Sequence, residues 1–216
     1  MRSVIGEHYF SAEPSTPAAR RQITFEVAGR GYRLSTAAGV FSADRLDAGT
    51  AVLLRKAPLP GPGTTGTLLD LGCGYGAIAA VLATRAPNAT VYAVDVNTRA
   101  LDLVRDNATA LDIADRVVAV TPDEVPADTL FAQIWSNPPI RVGKEELHAL
   151  LRRWLPRLAP DGTAWLVVGC HLGADSLQEW LTERGWPAVR HASQKGFRVL
   201  SVRNPGDGSA GLAENP

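Results

Sequence analysis

Cysteine, methionine, long apolar runs and an excess of one charge are all scarce in this 216-residue chain. Two cysteines, Cys73 and Cys170, are too few for a disulfide framework or a zinc cluster, so the fold must rest on an ordinary core. The longest apolar stretch, Ala77 to Ala83, falls far short of the about 18 residues that a membrane-crossing helix needs. The opening residues, MRSVIGEHYFSAE, lack the apolar segment of a secretory leader. The expectation is a reducing, cytoplasmic setting with no membrane partner. Lys+Arg number 22 against 22 Asp+Glu, which excludes a polybasic binder that relies on bulk charge. The 45% hydrophobic and 20% charged composition is that of a globular chain rather than a disordered one.

The charge balance hides a pattern. Residues 1–66 carry 8 basic and 5 acidic side chains, residues 67–136 carry 4 and 9, and residues 137–216 carry 10 and 8. A polyanion would therefore meet the flanks rather than the middle.

Hydrophobic spacing divides the chain further. Ile23, Phe25 and Val27 alternate, and a Gly-containing turn leads to Tyr32 and Leu34, which predicts a β-hairpin. A helix is expected over Ala48–Lys56, followed by a Pro- and Gly-rich linker over 57–66. From Thr67 short β runs alternate with helical patterns. Strands are expected at Thr67–Leu71, Thr90–Asp95, Val117–Val120, Phe131–Ser136 and Thr163–Gly169. Helices are expected at Gly76–Arg85, Thr98–Leu111, Lys144–Leu158 and Ser176–Arg184, and two further strands near Val189–His191 and Phe197–Val202. Alternation of this kind implies an α/β fold, a doubly wound, mostly parallel Rossmann-like sheet of seven strands. The expected organisation is an N-terminal extension over residues 1–61, a catalytic domain over 62–203, and a disordered tail over 204–216.

In such sheets ligands lie beyond the carboxyl ends of the strands. Three strand ends carry chemistry. After the first comes Asp70-Leu71-Gly72-Cys73-Gly74-Tyr75-Gly76, a turn whose glycines let backbone approach a ligand closely. The spacing G-x-G-x-G is not the dinucleotide fingerprint, and a carboxylate two residues ahead suits a cationic ligand better than a pyrophosphate. At the end of the second stands Asp95, before Val96 and Asn97, where an acid can accept both hydroxyls of a ribose or cap the next helix. After the fourth comes Ser136-Asn137-Pro138-Pro139-Ile140. Two prolines fix φ and remove two donors, leaving carbonyls and the Asn137 amide as acceptors for an NH2 group.

Order, spacing and strand-end placement of these three motifs resemble class I S-adenosylmethionine-dependent methyltransferases. His8-Tyr9-Phe10, Gly39-Val40-Phe41-Ser42 and the stretch from Asn137 through Arg141 and Gly143 to Lys144 narrow the likeness. They resemble the methyltransferase small domain group, which includes RsmC-type enzymes acting on guanine N2 of 16S ribosomal RNA. The resemblance implies S-adenosylmethionine as cofactor, with Asp70, Gly72, Cys73, Gly74 and Gly76 at its methionine part. It implies Asp95 and Val96 at the ribose and Asp123 at the adenine. Asn137, Pro138 and Pro139 would form the catalytic turn, with Asn137 also beside the cofactor. Phe41, Ile140, Arg141 and Lys144 would face the substrate; Phe41 suits equally a staple between extension and core. Base-modifying relatives often carry an aromatic where this chain has Ile140. The partner implied is RNA, ribosomal or in a ribosomal particle, and a monomer is expected. Protein glutamine, adenine or a small metabolite as acceptor, or a silent cofactor-binding module, remain alternatives on the residues alone.

Overall fold

The structure is a computed structural model, and it describes residues 20–139 and 143–206. The hairpin comes first: β1 (Arg20–Val27) pairs antiparallel with β2 (Arg30–Ala37) around the turn at Ala28 and Gly29. Alternation sets its buried face, on which Ile23, Val27, Tyr32 and Leu34 pack. Helix α1 (Ala48–Lys56) follows, capped by Asp47, whose side chain accepts from the Gly49 and Thr50 amides at 2.8 and 3.0 Å.

The remaining elements alternate as β3 (Thr65–Leu71), α2 (Ala77–Arg85), β4 (Asn88–Val94), α3 (Thr98–Ala110), β5 (Val117–Val120), β6 (Phe131–Ser136), α4 (Lys144–Trp154), β7 (Leu158–Gly169), α5 (Ala174–Glu183), β8 (Ala188–Gln194) and β9 (Phe197–Arg203). The sheet order is β5-β4-β3-β6-β7-β9-β8. Strands β3 to β7 run parallel, while β9 is antiparallel to both neighbours. The order reverses between β3 and β6, so the carboxyl ends of those two strands frame the crevice where this architecture binds ligands.

Hydrophobic layers cover both faces. One contains the hairpin, α1, α2 and α3, and the other contains α4 and α5 around Phe131, Trp154 and Trp180. The extension thus shares its core with the sheet. Asn107 of α3, 3% exposed, fastens it further: its side chain bonds both backbone groups of Ser35 and the carbonyl of Tyr75. The expected linker is also anchored, since Arg85 donates to the Pro60 carbonyl and Asn88 to that of Pro62.

The helix expected to reach Leu158 ends at Trp154, and Leu155–Arg157 form a 3-10 turn. Pro156 has no N–H to continue an α-helix. Leu158 instead begins β7, which is five residues longer at its start than its apolar stretch implied. His148 is buried and stacks on Trp180 with ring centroids 3.8 Å apart. No helix among the described residues is long and apolar enough to cross a membrane.

Candidate functional site

Strand β3 is apolar on both sides of one acid: Leu69 and Leu71 are buried, and Asp70 between them is completely buried. One oxygen of Asp70 accepts from the Ala79 amide of α2 at 2.8 Å. The other is buried without a partner. Burial pushes this carboxyl up to about 7; the Ala79 bond works against that, and the charge of Asp95 adds to it. An orphaned carboxylate oxygen of this kind is costly unless a donor or cation meets it.

Beyond β3 the chain turns through Gly72, Gly74 and Gly76 at φ of 73°, 53° and 85°, the left-handed region that favours glycine. A Cβ on Gly76 would meet Val104 at 3.0 Å, so that glycine lets α2 and α3 close together. A Cβ on Gly72 would meet nothing within 4 Å, so its backbone borders open space. The amides of Gly72 and Cys73 both donate to the Val94 carbonyl, which fixes the loop to the end of β4. Cys73 is buried, and burial pushes its thiol well up, away from thiolate chemistry.

Asp95 follows β4. Its two oxygens accept from the amides of Gly74 at 2.9 Å and Asn97 at 3.0 Å. Burial raises its carboxyl above the usual range, and those bonds oppose the rise. Each oxygen retains acceptor capacity for a hydroxyl. Val96 beside it presents a 43% exposed apolar side chain. Asn97 serves as the N-cap of α3 and donates to the Gly39 carbonyl, so the turn before α1 is tied to this strand end.

The third motif is brought alongside by Ser136, whose buried hydroxyl donates to the Leu71 carbonyl at 2.7 Å. Asn137 therefore leaves β6 next to the glycine loop. Its amide nitrogen donates to Asp47 at 2.6 Å and to the Thr50 hydroxyl at 3.1 Å. Pro138 is buried and Pro139 half-buried. The amide expected purely as an acceptor is thus anchored through its donors. Sequence reasoning missed Asp47; the available signal was an acid directly before a helix. Tyr75 was also missed: it is 4% exposed, and burial, then Asp47 and Asp70, push its hydroxyl up. Phe197, half-buried at the start of β9, brings a ring atom to 3.1 Å from where a Gly49 Cβ would lie.

Other expected residues fall elsewhere. Asp123 is at the surface: its carboxylate is 89% exposed and pairs with Arg153 of α4 at 2.7 Å. The turn there is closed by Glu124, which accepts from the Thr121 amide and hydroxyl, leaving Asp123 at the surface. Val40 is the buried staple of its loop, and Phe41 beside it is 44% exposed. Lys144 is exposed at the first turn of α4. Ile140, Arg141 and His8 lie outside the described residues.

Comparison with known proteins shows the family. A family model described as methyltransferase small domain matches residues 31–201. The chain is 30% identical to the protein YbxB of Bacillus subtilis (strain 168) over 201 residues, covering 92% of this chain and 99% of that one. It is 34% identical over 198 residues to ribosomal RNA small subunit methyltransferase C of Pseudomonas aeruginosa (strain UCBPP-PA14), covering 89% of this chain but 57% of that relative. Among solved structures, the T. thermophilus 16S rRNA N2 G1207 methyltransferase, in complex with AdoMet and guanosine, superposes with a TM-score of 0.75 at 25% identity. That likeness covers 88% of this chain and 52% of the other.

Proposed function

This chain belongs to the methyltransferase small domain family, and we propose that it methylates an exocyclic amino group, guanine N2 of ribosomal RNA, with S-adenosylmethionine as donor. One observation carries the reading: Ser136 holds the end of β6 against the end of β3, so that Asn137-Pro138-Pro139 stands beside the cofactor loop. The chain spans 57% of the length of the methyltransferase C relative from Pseudomonas, and the RNA acceptor is part of this proposal.

The residues present fit the donor. Asp70 has a buried oxygen with no partner, which an ammonium group would satisfy. Gly72 borders open space that any side chain would narrow. Asp95 has acceptor capacity for ribose hydroxyls, and Val96 offers an apolar surface to a flat ring. Asp70, the Gly72–Gly76 backbone, Asp95 and Val96 would therefore hold the donor. When bound, it supplies a sulfonium methyl open to in-line attack by nitrogen, so the protein's task is placement and electrostatics. Asn137 and the carbonyls of its proline turn accept the hydrogens of the incoming NH2 and aim its lone pair. No strongly basic group is needed, because a methylated amino group loses its extra proton to water. A paired base must first leave its stack, at a cost of a few kcal/mol. Phe41 and Lys144 provide an exposed ring and a cation toward such a nucleotide, and the reading places the protein in the cytoplasm with RNA as its partner.

The test is incubation of the full chain with methyl-labelled S-adenosylmethionine and 16S ribosomal RNA, free and in small subunits, followed by nucleoside mass analysis. Label in N2-methylguanosine is the expected result. Label that appears in protein or metabolites but in no RNA overturns the RNA reading. Donor-dependent RNA binding should also weaken steeply between low and moderate salt, as phosphate contacts require.

A further inference from the structure

An asparagine amide has two ends of similar shape and opposite function. Its terminal torsion is broad and roughly two-fold, so nothing intrinsic to Asn137 decides whether oxygen or nitrogen faces an incoming group. An NH2 substrate needs the oxygen. A carboxylate accepts hydrogen bonds and cannot donate them, so whatever end of the amide meets Asp47 must be the nitrogen. Thr50 takes the second amide proton. Both donors of Asn137 are thereby committed to α1, 87 and 90 residues away in sequence.

Gly49 occupies the centre of this arrangement. A Cβ there would lie 3.0 Å from Asp47 Oδ1, 3.1 Å from a Phe197 ring carbon and 3.2 Å from Asn137 Oδ1. Glycine in a helix costs about 1 kcal/mol relative to alanine. Here it keeps a side chain from pressing against the Asn137 oxygen.

We propose that Asp47 is the positioning residue of the acceptor site: with Thr50 it holds both amide protons of Asn137, so that Oδ1 receives the substrate NH2, while glycine at position 49 keeps a side chain off that oxygen. The proposal deepens the N-methyltransferase reading and rests on it. It makes the cap of α1 part of the catalytic apparatus, although α1 lies before the strand that begins the cofactor site.

Two substitutions separate positioning from capping. Asp47→Asn retains a carbonyl that caps α1 and accepts from Asn137. Asp47→Ser retains a cap, since serine and aspartate cap comparably, but its oxygen lies one bond nearer the backbone than the Oδ1 that Asn137 meets. The expected result is that Asp47→Ser lowers kcat by about 100-fold with KM for S-adenosylmethionine and melting temperature unchanged, while Asp47→Asn restores most of kcat. Serine at wild-type kcat, or both variants losing kcat equally, overturns the proposal. A second readout needs no substrate: exchange of the Asn137 Nδ2 protons by NMR, assigned by their loss in Asn137→Ser. Protection present in wild type and Asp47→Asn but lost in Asp47→Ser upholds positioning, and equal exchange in all three overturns it. A wild-type protein that methylates no amino acceptor removes the functional reading, and the exchange measurement then decides the Asp47 role by itself.

Discussion

At the ends of β3 and β4, the bonds that shape the site span no more than 21 residues: Asp70 to Ala79, Asp95 to Asn97, and Asp95 to Gly74. At the end of β6, the bonds that orient Asn137 reach back to Asp47 and Thr50 in another layer of the molecule. The proposed cofactor side is therefore built by one β-loop-α unit and its neighbour, whereas the proposed acceptor side also needs α1 in place. A local motif can hold its form with little outside help. An amide oriented from 90 residues away depends on the placement of α1, which packs in the same core as the sheet.

If the two sides have separate tasks, the largest separation comes from Asn137→Ala. Turnover is expected to fall by between about 100- and 1000-fold, as when a positioned group that acts in the transition state is removed. Donor affinity, measured by calorimetry, should stay within about twofold, because the proposed donor contacts lie chiefly on the other two strand ends. Parallel loss of affinity and turnover breaks the division.

Asp70 tests the cofactor side by pH. Its folded-state pKa of about 7 lies above that of a carboxyl in an unfolded chain, about 3.9. A raised pKa means that the folded state holds the proton more tightly. The stabilisation is complete below the unfolded value and is lost as pH rises through about 7. Ligand-free protein should thus lose stability between about pH 4 and 8, by about 4 kcal/mol at most, and Asp70→Asn should flatten that fall. Donor affinity should run the other way in wild type, strengthening as pH rises and Asp70 ionises to meet an ammonium. In Asp70→Asn that strengthening should vanish. A wild-type protein whose melting temperature and donor affinity are both flat across this range removes Asp70 from the site.

Asp95→Ala should weaken donor binding by about 1–3 kcal/mol, the cost of leaving hydroxyls and the Gly74 and Asn97 amides without their acceptor. The turnover of protein saturated with donor should change far less. A reversed pattern, intact affinity with lost turnover, would move Asp95 to the acceptor side.

The same contrast explains what was legible in the sequence. Helix α1, β5 and β6 match their expected bounds at both ends, because period and flanking residues are local signals. The glycine loop and Asp95 were recognisable for the same reason, since spacing along the chain is nearly spacing in space. The antiparallel direction of β9 was not legible, because apolar alternation has no direction. Asn107, Tyr75 and Phe197 were missed because an amide, a phenol or a ring looks alike in any core until its distant partner is known. Asp47 lies between these cases. Its capping role could be read from position, whereas its bond to Asn137 could not.

Asp123 gives the smallest and most discriminating expectation. The resemblance assigned it to adenine, yet its carboxylate is 89% exposed and pairs with Arg153. Exposed pairs of this kind contribute about 0–1 kcal/mol, and solvent screens what remains. Asp123→Ala should therefore leave donor affinity and turnover within about twofold of wild type and alter stability by less than about 1 kcal/mol. Under the proposed donor placement, exposed Val96 beside Asp95 meets the flat ring, and Val96→Asp should weaken donor binding more than Asp123→Ala does. A loss of affinity in Asp123→Ala as large as that in Asp95→Ala would mean that Asp123 leaves Arg153 and closes over the donor when it binds. The cofactor side would then also be completed from a distance, by a residue beyond its own β-loop-α unit, and the contrast between the two sides would narrow.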